Sequence, residues 1–188
     1  GQARFVLSCA APEALLPTIR SRCQTLVLGL PDTAQALAWL AGRGVARPEV
    51  LLNAAGGQPL DALEWLALGA SADVWARLPL LLARGDAGAL AGWPLPRVIE
   101  AMQKLCHDAM CLAAGAAPRY FPADAITAGA PLAGLVGWSR ALQRHARYAE
   151  HPWHAALMLE SLVQQAAQAL APRRAQPAPR GVSIHSKP

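Results

Sequence analysis

Strand-forming aromatic residues are nearly missing from this chain, which holds two Tyr and two Phe among 188 residues. Val and Ile are also scarce beside Ala and Leu, the strongest apolar helix formers. That balance excludes a mainly β protein and predicts a mainly α one. Charge is thin as well, at 15% of residues against 54% hydrophobic, so the chain has ample material for a buried core. No uncharged apolar run is long enough to span a bilayer, and the start lacks a basic-then-apolar secretory pattern. The expectation is a cytoplasmic protein with no membrane partner. Cys9, Cys23, Cys106 and Cys111 are scattered, which speaks against a disulfide framework or a zinc site. The closest two, Cys106 and Cys111, would stand about 140° apart around a helix. His151 and His154 lie three apart beside Glu150, but Pro152 intervenes and a third ligand is wanting. They read as the start of a helix, and no metal site is expected. No glycine-rich phosphate loop ending in Lys-Ser or Lys-Thr occurs, nor a dinucleotide fingerprint or a nucleophile elbow.

What is present falls into four stretches. Residues 1–30 hold two apolar runs, Phe5-Val6-Leu7 and Leu26-Val27-Leu28, around a Pro-rich helical turn. Strand, crossover and strand make one unit of a parallel sheet, too little to cover both faces of its own strands. This stretch, opening on Gly1 without Met, is expected to be the end of an α/β domain whose beginning lies elsewhere. Residues 31–69 predict three short helices. Asp32 and Gln35 form a capping box ahead of the first, Pro48 opens the second and Pro59 the third, with Leu60, Leu63 and Ala67 on one face. Residues 70–171 predict longer helices: one capped by Ser71, one carrying the stripe Val98, Met102, Leu105, Cys106 and Ala109, and two more after a long connection. Trp75, Trp93, Trp138 and Trp153 are expected to anchor an association surface. Residues 172–188, rich in Pro with Arg173, Arg174, Arg180 and Lys187, read as a disordered basic tail whose charges are solvated.

The string Pro12-Glu13-Ala14-Leu15-Leu16-Pro17-Thr18-Ile19-Arg20-Ser21-Arg22-Cys23 carries the most information. By itself, a pair of arginines closing a helical turn suits the negative end of the helix dipole. As a whole, between two apolar runs and followed by short helices, it resembles the end of the AAA+-type domain in clamp-loader subunits. The resemblance implies an AAA+ remnant over residues 1–30, a helical lid over 31–69 and a helical collar over 70–171. It also implies that Arg22, flanked by Ser21 and Cys23, is an arginine finger reaching the ATP held by a neighbouring subunit. A guanidinium suits that role, because its planar fork can meet γ-phosphate oxygens and offset the charge that develops in transfer.

Hydrolysing members of that family carry polar sensor threonines where this chain has Cys9-Ala10. They carry an arginine in the third lid helix where Gly57-Gln58-Pro59-Leu60-Asp61-Ala62-Leu63 places Leu60. Donating a finger while lacking both sensors is similar to the delta-prime family of the bacterial DNA polymerase III clamp loader. That family's role implies a subunit with no catalytic activity of its own and no cofactor, working beside gamma/tau and delta subunits. The sliding clamp and primer-template DNA would be partners within the complex. His151 to Leu162 is similar to the last collar helix, and the family's zinc module would lie ahead of Gly1. Two alternatives stay open: the gamma/tau ATPase of the same machine, which an upstream phosphate loop would revive, and a generic helical interaction module.

Overall fold

The computed structural model describes residues 3–9, 11–147 and 155–172, and the chain divides into two units, Gly1–Leu30 and Pro31–Pro188. Ala10, the histidine pair at 151 and 154, Trp153 and the tail beyond Pro172 lie outside the described residues.

In the first unit the regular elements are a 3-10 turn at Pro12–Ala14 and one α-helical turn, α1 (Pro17–Arg20). The two apolar runs expected as strands do not pair, and the described residues contain no strand. Phe5 is 89% exposed and Val27 83% exposed. A strand exists through its ladder, and among the described residues these runs pair with no neighbour that would supply one.

The second unit is helical. It comprises α2 (Thr33–Ala41), α3 (Pro48–Ala54), α4 (Pro59–Ala67), α5 (Ala72–Ala83), α6 (Leu95–Ala113), α7 (Leu132–Ala146) and α8 (Ala155–Leu170). Local chemistry sets the ends. The Asp32 carboxylate accepts from the backbone N–H of Ala34 at 2.8 Å and Gln35 at 3.4 Å, and Ser71 Oγ accepts from Val74 N–H at 3.3 Å. At the end of α3, Gly56 N–H donates to the Asn53 carbonyl and Gly57 N–H to the Leu52 carbonyl, both at 2.9 Å. Their φ of 64° and 93° lie where an L side chain is strained, so two glycines stop the helix and turn the chain toward Pro59.

One hydrophobic core runs from Ala36 in α2 to Leu170 in α8. It crosses the expected boundary near Gly69 without a gap: Trp65 and Trp75, on either side of that glycine, meet edge-on with ring centroids 5.0 Å apart. Trp93 lies 5.5 Å from Trp65, and Phe121 stacks on Trp75 at 4.7 Å. The expected stripe of α6 is buried throughout. The face of α4 turned to the core is that of Ala62 and Trp65, not the one shared by Leu60, Leu63 and Ala67, and Leu60 is 67% exposed. Covering an indole gains more than covering one leucine, and that rotates the helix. The tryptophans expected as association anchors are also corrected: Trp75, Trp93 and Trp138 are interior residues. No single helix among the described residues is long and apolar enough to cross a membrane. The longest, α6, carries Arg97, Glu100, Lys104 and Asp108.

Candidate functional site

The Ser21-Arg22-Cys23 motif closes α1. Pro17 at the first helical position needs no N–H partner, and the single turn is held by Ser21 N–H on the Pro17 carbonyl at 2.9 Å. The chain then tightens: Arg22 N–H donates to the Ile19 carbonyl at 3.1 Å and Cys23 N–H to the Arg20 carbonyl at 3.3 Å. Ser21 Oγ donates back to the Thr18 carbonyl at 3.3 Å. The serine thereby satisfies a carbonyl at the helix end and fixes the turn that carries the arginine. Ser21, Arg22 and Cys23 are all exposed, and among the described residues no carboxylate pairs with Arg20 or Arg22. The arrangement presents a guanidinium on a short, hydrogen-bonded turn with its fork open to a phosphate or carboxylate.

Of the residues that the resemblance singled out besides Arg22, Cys9 is exposed and Ala10 lies outside the described residues. Leu60, at the second position of α4, points to solvent and offers no charge.

Two polar constellations went unread in the sequence. The first surrounds Trp65. Arg97 of α6 reaches Asp61 of α4 at 2.8 Å and also bonds Glu64, and it holds Glu100 on its own helix at 2.8 Å. Lys104 continues the chain to Glu100 at 2.7 Å, and the Trp65 indole N–H donates to Asp61 at 3.1 Å. The Arg97 and Lys104 cations lie 4.9 and 4.8 Å from the Trp65 ring centre. Burial works against the Arg97 charge, but hydrogen bonds to Asp61 and Glu100 outweigh it and raise its pKa further. The network ties α4 to α6.

The second is Asp108, a fully buried carboxylate on α6. It accepts three backbone N–H groups, Arg119 at 2.9 Å, Tyr120 at 2.7 Å and Phe121 at 2.8 Å. His107 Nδ1 stands 3.0 Å from the same carboxylate. The Tyr120 carbonyl in turn accepts the Trp75 indole N–H at 3.0 Å. One acid therefore pins the connection between α6 and α7 onto the core. A signal did exist: Asp108 shares the apolar register of Leu105 and Ala109, where a charge persists only if paired. Its partners lie 11 to 13 residues downstream in a segment without periodicity, so no spacing rule could name them.

Cys106 is buried and donates to the Leu135 carbonyl at 3.3 Å, and burial pushes its thiol up to about 12. Cys9 and Cys23 are exposed. Among the described residues no group of three or more His, Cys, Asp or Glu side chains is placed to hold a metal ion. Comparison with known proteins finds no matching family model, no matching curated protein and no matching solved structure.

Proposed function

We propose that this chain is part of a clamp-loader subunit of the delta-prime type, and that Arg22 acts in trans on ATP bound by a neighbouring gamma/tau subunit. The observation that carries the reading is the Ser21-Arg22-Cys23 motif on the exposed end of a proline-started turn, with the arginine unpaired among the described residues. Leu60 in place of an arginine and Cys9 in place of a polar sensor support a non-hydrolysing member. In this reading residues 1–30 complete an AAA+-type domain, residues 31–69 form the lid and residues 70–171 the collar. ATP and the chemistry belong to the neighbour, and the complex loads the sliding clamp onto primer-template DNA.

The mechanism follows from the guanidinium. A developing negative charge on the transferred phosphoryl group meets a fixed, always-protonated fork supplied from across the interface. The test is clamp- and DNA-stimulated ATP hydrolysis by a reconstituted loader. Arg22→Ala should leave assembly intact and remove on the order of 10³-fold from the one site it serves, with a smaller effect on bulk turnover. Arg22→Lys should restore little, because an ammonium lacks the fork. Arg20→Ala is the control and should do less. Full hydrolysis with Arg22→Ala would exclude the finger role, and loss of assembly would recast Arg22 as an interface ion-pair residue.

A further inference from the structure

Helix α7 has two opposite faces. Leu135, Trp138 and Leu142 are buried. Arg140 and Arg144, with Arg147 at the C-cap, follow at spacings of four and three and so form one row on the other side. All three are exposed, and among the described residues none pairs with a carboxylate. The sequence from 125 to 149 contains no Asp or Glu at all. The helix dipole accounts for cations in the last turn, but its effect fades within that turn and leaves Arg140 unexplained. It also gives no reason for a stretch this long to lack any balancing acid.

We propose that this row binds the sugar–phosphate backbone of nucleic acid without reading its sequence. Seven residues of helix set the outer arginines about 10 Å apart along the axis, the span of roughly three successive phosphates on one strand. Ala133, Gly137 and Gln143 continue the exposed face with small or neutral side chains, which lets a phosphate strand lie close. Leu132 and Val136, 48% and 37% exposed, are the apolar side chains on this face and lie toward the start of the helix, away from Arg144 and Arg147, so no apolar pocket sits among the arginines to anchor an acidic peptide. The inference does not rest on the clamp-loader reading, because it concerns the chain alone.

The test is fluorescence anisotropy of a labelled duplex of mixed sequence, titrated with the full 188-residue chain over a salt series. Each phosphate contact contributes about 0.9 to the slope of log affinity against log salt. The triple variant Arg140→Gln/Arg144→Gln/Arg147→Gln should flatten that slope by about 2 to 3 and weaken low-salt binding more than about tenfold. Arg140→Gln alone should flatten it by about 1, and this variant decides the matter if the triple loses its helical circular dichroism. A control, Arg43→Gln/Arg77→Gln/Arg84→Gln, removes the same charge from exposed positions on and beside α2 and α5 and should change the slope by less than about 1. Equal losses in the two triples, or an unchanged slope with the α7 variants, would overturn the proposal. So would displacement of the duplex by poly-L-glutamate at matched charge, which would make the row an acidic-polypeptide surface.

Discussion

Replacing Asp108 by Ala tests how much of the second unit hangs on one carboxylate. The substitution leaves the three N–H groups of Arg119, Tyr120 and Phe121 without their acceptor, in a site where the acid itself is fully buried. A buried donor left unsatisfied costs about 1–3 kcal/mol, which would total well above 3 kcal/mol if the segment stayed in place. It need not stay, and undocking limits the loss. Undocking exposes Phe121, surrenders its stacking on Trp75 and breaks the bond from the Trp75 indole to the Tyr120 carbonyl. Releasing one buried aromatic side chain costs about 1.5–3 kcal/mol, and an indole hydrogen bond adds about 1 kcal/mol. Undocking is the cheaper route and sets the loss at about 2.5–4 kcal/mol, a large part of the 5–15 kcal/mol typical of a folded domain. At this chain length that is a fall in Tm of about 5–16 °C. Asp108→Asn, which keeps a carbonyl oxygen but turns an NH2 toward a donor, should lose roughly half as much. Denaturation followed by circular dichroism gives the total, and amide exchange at 119–121 shows whether the segment undocks first. A loss under about 1 kcal/mol with exchange at those amides unchanged would refute the reasoning.

Other outcomes follow from the same structure. Cys106 should resist thiol reagents in the native chain while Cys9 and Cys23 react, as mass spectrometry of alkylated peptides would reveal; native labelling of Cys106 would contradict its burial. Its thiol is pushed from 9.0 up to about 12, so the folded state keeps a proton that the unfolded state gives up. Stability from this group is intact below pH 9 and falls by about 1.4 kcal/mol per pH unit above it, until the folded thiol also ionises. Cys106→Ala should flatten that alkaline decline. Arg97→Ala should cost about 1–2 kcal/mol in thermal melts, a figure kept small because the network is partly solvated, and Arg97→Lys should recover part of it. Hydrogen exchange should be fast before Asp32 and slow in α8, where Leu162, Val163, Ala166 and Leu170 are buried; equal protection would contradict the exposed first unit.

Helix ends were legible because their causes are local. Asp32 and Ser71 act on amides two or three residues ahead, and Pro48 and Pro59 fix φ where they stand. The α6 stripe was legible because five apolar residues agree on one face. The face of α4 was not, since Leu60, Leu63 and Ala67 fit helical spacing as well as Ala62 and Trp65 do, and only the packing of Trp65 against Trp75 and Trp93 decides. The apolar runs near Phe5 and Val27 have the composition of strands, but pairing is a property of two segments and neither run pairs with another among the described residues. The Ser21-Arg22-Cys23 motif could be found by resemblance alone, since the physics of an exposed arginine is the same with or without a recipient.

The network around Trp65 has a mechanical consequence. Sliding α4 along α6 would separate Arg97 from Asp61 and Glu64, strip the cations from the indole face and crowd acids without a counterion. The two helices therefore resist sliding at the one crossing where Arg97 and Lys104 face Trp65, by about the 1–2 kcal/mol that partly solvated ion pairs supply.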